Sequence, residues 1–185
     1  MARMTHNLKY VVATLLLSTG LGWAQGSDTR LDDLFAALKQ AEGSDAEQIV
    51  GKIASEWSRS GSPAMDMLLE RGREALAMGQ TQVAIGHFSA LVDHAPDFAE
   101  GYNARATAYF QSQQFGPALA DIGRVLDLNP RHIGALTGLA VILSDLGEAQ
   151  TALAAWREVE RLYPASPQAA AAIPLLEREV DGSRL

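Results

Sequence analysis

After residue 30, apolar side chains recur every three or four positions almost without interruption, so the chain predicts one helix after another. Leu31, Leu34, Phe35 and Leu38 make the first stripe, and the run stops at Gly43, a residue suited to a helix C-terminus. Asp45 with Gln48 three residues on predicts a capped second helix carrying Ile49, Ile53 and Trp57 on one face. Ser60-Gly61-Ser62 breaks that helix. Ser62-Pro63 then predicts a new start, with a side-chain cap and a proline in the first turn.

From Met65 the pattern repeats. Pro96, Pro130 and Pro164 stand 34 residues apart, and three units, 65–98, 99–132 and 133–166, align without a gap. The fourth residue is Leu68, Tyr102 or Leu136, the eighth Gly72, Ala106 or Ala140, and the eleventh Ala75, Tyr109 or Leu143. In the second half, the twentieth is Ala84, Ala118 or Ala152 and the twenty-fourth Phe88, Ile122 or Trp156. Small residues at the eighth and twentieth places let two helices approach, and the bulky places fill the space between pairs. Gly79 and Gly147 separate the two helices of their units; Gln113 takes that place in the middle unit. A fixed period of this length is the mark of a helical-pair repeat stacked into a solenoid.

In these residues the chain resembles the tetratricopeptide repeat, whose pattern it departs from at position 27, where Leu91, Val125 and Val159 replace alanine. The resemblance implies an all-α fold, a right-handed α-solenoid of antiparallel helix pairs. Residues 31–64 have the length and phase of a further unit but carry Leu38 at the small eighth place and Ser62 where the proline belongs, and are expected to form a degenerate N-terminal helix pair. Residues 167–185 are expected to supply a C-terminal capping helix and tail, with Glu177, Arg178 and Glu179 on its polar side; Pro174 should kink or break it.

The first residues read differently. Arg3 and Lys9 precede an uncharged stretch from Tyr10 to Gly22, and Gly22 and Ala24 suit a cleavage after Ala24, so residues 1–24 are expected to be a signal peptide and 25–30 a linker. The stretch is shorter than the roughly 20 residues needed to span a bilayer, which disfavours an uncleaved anchor in the inner membrane. The expectation is an exported, periplasmic protein without stable membrane insertion after cleavage.

The chain has 185 residues, no cysteine and a net charge of −7, and loss of residues 1–24 removes two cations and no acid. An acidic chain without a Lys/Arg cluster has no counterions to release from phosphates, which excludes nucleic acid as a partner. Disulfide and thiol chemistry are excluded with the cysteines.

Catalytic patterns are missing as well: no HExxH, GxSxG, SxxK, Walker A or GxGxxG occurs. His87 and His94 lie seven apart rather than the four usual in metal pairs, and Asp93–His94 has no nucleophile beside it, so no catalytic residue, metal or cofactor is expected. Arg71 and Arg105 at position 7 are expected either to pair with an acid of a neighbouring helix or to hold a ligand carboxylate.

In the resembled family the first helix of each unit lines a concave groove. Transferred to this chain, that face includes Leu69, Arg73, Asn103, Thr107, Phe110, Thr137 and Val141, which together suit a peptide or helix of another protein. Chaperone-binding members clamp a C-terminal carboxylate with Lys, Asn and Arg, but here the equivalent places hold Leu69, Arg73, Ala104, Gly134 and Gly138. Asp66 and Glu100 on one flank and Asp145 on the other suggest tolerance of a basic ligand. The reading is a non-catalytic periplasmic adaptor or assembly factor. A homo-oligomerising envelope protein and a small-molecule-binding or enzymatic accessory stand as alternatives.

Overall fold

The computed structural model describes residues 29–182. The expected signal peptide and residues 25–28 lie outside them. Thr29 and Arg30, expected in the linker, already belong to the first helix. Among the described residues every regular element is a helix: α1 (Thr29–Leu38), α2 (Gly43–Trp57), α3 (Pro63–Ala77), α4 (Thr81–His94), α5 (Ala99–Gln111), α6 (Phe115–Leu128), α7 (Ile133–Asp145), α8 (Ala149–Leu162) and α9 (Pro167–Gly182).

Helices α3 to α8 form three antiparallel pairs, and each pair packs on the next, with α9 closing the series against α8. The periodic positions explain the packing. Ala84, Ala118 and Ala152 have no exposed surface, and the same holds for Leu91, Val125 and Val159. The eighth position has a steric reason for smallness in the first pair: a Cβ on Gly72 would stand 2.2 Å from the Phe88 ring. The reversals within pairs use the left-handed region, with φ of +72° at Gly79 and Gly147 and +58° at Gln113. The middle turn therefore keeps the conformation of its glycine counterparts at a steric cost.

The N-terminal pair departs from expectation. Phe35, Leu38, Ala46 and Ile53 join the core built by α6 to α9, whereas the first repeat's Leu69, Ala75, Ala84 and Phe88 form a separate cluster with Ala104 and Ala108 of α5. Hairpin α1–α2 is thus not a further unit stacked on α3. Trp57 stacks on His132 at 4.4 Å, Asp32 pairs with Arg131 at 2.7 Å, and Arg131 lies over the Phe35 ring. At the other end of α2 the charge of Glu47, after burial, helps push the Tyr163 hydroxyl above its ordinary pKa. Helix α2 therefore runs across the junctions between repeats, from the end of the third toward the first.

Three local expectations are corrected. The Asp45–Gln48 box does not cap α2, whose N-cap is Glu42, and Ser62 makes no side-chain cap. Ser60 stabilises that turn instead: its N–H and hydroxyl donate to Asp66 at 2.8 and 2.6 Å. Helix α9 continues through Pro174. Pro174 and Ala170, whose carbonyl loses the i+4 donor, are both exposed, so water can take the missing partner's place.

Candidate functional site

Five of the seven expected groove residues meet. Asn103, Thr107 and Phe110 on α5 face Thr137 and Val141 on α7 around a pocket of about 240 Å³, with Ile122 of α6 behind them. Their spacing explains the meeting: 103, 107 and 110 lie on one helical face, as do 137 and 141. Gly134 and Gly138, four apart on α7, also line the pocket and leave its wall without side chains. Neither glycine is required by close packing. A Cβ at Gly134 would meet His132 at 3.4 Å and Asn103 Oδ1 at 3.6 Å, and one at Gly138 would meet Ile122 at 3.4 Å, all ordinary contacts.

Leu69 is a correction. It is 2 % exposed and cannot serve as an apolar anchor for a partner. The small Ala104 and Ala108 on α5 open a seam between α3 and α5, and the Leu69 side chain fills it.

Arg73 does not reach the pocket either. Its Nη2 donates to Glu100 Oε1 at 2.6 Å and to Ser58 Oγ, at the end of hairpin α1–α2, at 3.0 Å. Glu100 is buried, and its Oε2 accepts from Asn103 Nδ2 at 3.1 Å. His132 completes the network at 3.1 Å from the same oxygen. The histidine tautomer follows from its other contact. The backbone N–H of Ala135 donates to His132 Nδ1 at 3.1 Å, which caps α7 and leaves Nε2 as the donor to Glu100. Glu100 thus accepts from three donors.

Two consequences follow for the site. The expected acidic flank is not free to meet a basic ligand, since Glu100 is internally neutralised and Asp66 holds the Ser60 turn. The amide of Asn103 is also oriented: its nitrogen turns to Glu100 and its oxygen toward Gly134. One of the hydrogen-bonding groups expected to face a ligand is already engaged, and the acceptor remains.

Arg105 resolves in favour of structure. Its Nε and Nη2 each donate to Asp121 at 2.7 Å, Nη1 donates to Ser89, and the guanidinium lies near the Tyr102 and Tyr109 rings. The hydrogen bond to Asp121 pushes the Arg105 pKa up. Arg71 is exposed on α3. Sequence reasoning missed Glu100 and His132 as a network. Glu100 was expected on a flank of the groove, but nothing in the spacing announced a histidine 32 residues later as its partner.

Among the described residues, no helix is long and apolar enough to cross a membrane, and no three His, Cys, Asp or Glu gather as metal ligands.

Comparison with known proteins agrees with this architecture. The tetratricopeptide repeat model matches residues 69–118 and 103–170. A TPR repeat-containing protein of Rhizobium etli is 35 % identical over 156 residues, covering 84 % of this chain and 76 % of that protein. The chain belongs to the tetratricopeptide repeat family. The TPR domain of Arabidopsis OM64 superposes with a TM-score of 0.60 at 21 % identity, covering 62 % of this chain and 95 % of that one. The first TPR of Spaghetti (RPAP3), bound to an HSP90 peptide, gives 0.61 at 21 % identity, covering 63 % and 93 %. The Sgt2 TPR domain of Aspergillus fumigatus gives 0.61 at 21 % identity, covering 66 % and 83 %.

Proposed function

We propose that this chain is a non-catalytic protein-binding adaptor or assembly factor of the periplasm, holding a partner's peptide or helix between α5 and α7. The observation that carries the reading is the convergence of Asn103, Thr107, Phe110, Thr137 and Val141 on one pocket. Apolar walls with a few placed polar groups suit a peptide segment. That the related TPR domain of Spaghetti holds an HSP90 peptide supports the mode of binding, not the ligand. The places equivalent to a carboxylate clamp are Leu69, Arg73, Ala104, Gly134 and Gly138, of which Leu69 is buried and Arg73 is paired. The location rests on the tripartite pattern of residues 1–24.

The test uses the tagged full-length chain in its own cells. A partner retained by the native chain is expected to be lost with Thr107→Trp, which fills the pocket mouth, and kept with Glu160→Gln on exposed α8 surface. The mature chain is expected in the periplasmic fraction beginning at Gln25. Equal retention by both variants contradicts the groove assignment, and an intact N-terminus in the cytosol contradicts the location.

A further inference from the structure

The pocket has a shape and a charge that say more about its occupant. It lies between α5 and α7 with Ile122 of α6 behind, and its polar complement is neutral: Asn103, Thr107 and Thr137 among apolar residues and glycines. No Lys, Arg or His lines it. Of the basic side chains in the adjoining network, Arg73 is held by Glu100 at 2.6 Å, and His132 turns its capping nitrogen to the backbone of Ala135. An anion placed here would meet the Asn103 oxygen and no cation, and desolvating it without a partner is strongly unfavourable. A free C-terminal carboxylate and an acidic side chain are therefore poor occupants.

The volume, about 240 Å³, falls below the roughly 300–1,000 Å³ of sites that bury drug-sized molecules, and admits a single large side chain with its adjoining backbone. The polar groups are placed for that backbone. Glu100 holds the Asn103 nitrogen at 3.1 Å, which leaves Oδ1 at the pocket edge beside Gly134 as an acceptor. Gly134 and Gly138 matter because they let a main chain come close to α7, which bulkier residues at those two positions would prevent.

We propose that this pocket seats one bulky uncharged side chain, of leucine to phenylalanine size, from an internal segment of a partner protein, with a partner backbone N–H donated to Asn103 Oδ1. The inference rests on the adaptor reading and specifies its ligand. The occupant is an apolar-anchored internal segment, in contrast to a chain terminus.

The full-length chain is panned against two random dodecapeptide libraries, one acetylated and amidated, the other with free carboxyl ends. Blocked peptides sharing one Leu, Ile, Met or Phe are expected, and alanine at that residue should weaken binding on the order of tenfold to a hundredfold. Gly138→Leu, which projects a side chain into the pocket, should abolish binding while raising helix propensity. Gly134→Ala, whose methyl meets only ordinary contacts, should weaken it by a smaller factor and serves as the reading if Gly138→Leu does not fold. Glu160→Gln should change nothing. Selected peptides that lack an apolar residue, or that bind both glycine variants as well as the native chain, overturn the pocket proposal and leave the adaptor reading standing. Selection only from the free-carboxyl library overturns it in favour of an anion site. Self-association in sedimentation that Gly138→Leu abolishes makes a second copy the occupant and overturns it too. If neither library yields a binder, the adaptor reading falls with it.

Discussion

Replacing Glu100 with alanine removes the acceptor shared by Arg73, Asn103 and His132. The three donors do not suffer equally. The His132 side chain is 3 % exposed, so its Nε2–H is left without water or partner, at a cost of about 1–3 kcal/mol. Arg73 is 40 % exposed and rehydrates, retaining its bond to Ser58, so its share is at most about 1 kcal/mol. Asn103 is half-buried and adds about 1 kcal/mol. Together these give a loss of about 2–5 kcal/mol, overlapping the range for breaking a buried ion pair on one side. Glu100→Gln keeps an acceptor oxygen and should lose about half as much. The assay is urea unfolding at fixed pH, with an unchanged m-value required so that the midpoint shift reports stability. A loss below about 1 kcal/mol for Glu100→Ala would refute the shared-acceptor arrangement and with it the fixed orientation of Asn103.

Three further outcomes are expected. Gln113→Gly should stabilise the chain by about 1 kcal/mol in the same assay, because φ of +58° is costly for any side chain; no gain would place the strain elsewhere. Trp57→Ala should cost about 2–4 kcal/mol through the lost His132 stack and Phe35 contact, and should open residues 58–62 to protease; an unchanged cleavage pattern would contradict the docked hairpin. Asp66 has its pKa lowered by the Ser60 hydroxyl and then by the Ser60 N–H, so its contribution is present above the ordinary aspartate value and lost as pH falls through the lower folded value. Asp66→Asn should therefore flatten the acid limb of the stability profile; an identical acid limb in both proteins would remove that role.

The repeat itself was legible because its determinants are local and periodic. Ala84, Ala118 and Ala152 are fully buried at one register position, and Phe88, Ile122 and Trp156 are buried at another. The same regularity supplied the pocket, since residues 103, 107, 110, 137 and 141 share faces that helical spacing alone brings together. What a stripe does not contain is the identity of the surface it covers. Ile49, Ile53 and Trp57 mark α2 as amphipathic, but Trp57 finds His132 and Asp32 finds Arg131, 75 and 99 residues away in sequence and outside any repeat register. The departures at Leu38 and Ser62 were the visible signs that 31–64 is not an ordinary unit. Leu69 failed for a similar reason. Its position pointed to the groove, but the space beside Ala104 and Ala108 is a property of the neighbouring helix. Pro174 was read from its missing N–H alone, and the exposure that lets water compensate belongs to the tertiary structure.

The most direct test of the central claim places a photo-crosslinking amino acid at Thr107, an exposed residue at the pocket, in the native cell, with Glu160 on the exposed side of α8 as control. The account predicts a discrete adduct with another protein from Thr107 and none from Glu160. Adducts of equal yield from both positions, or none from Thr107, would contradict a groove that holds a protein partner.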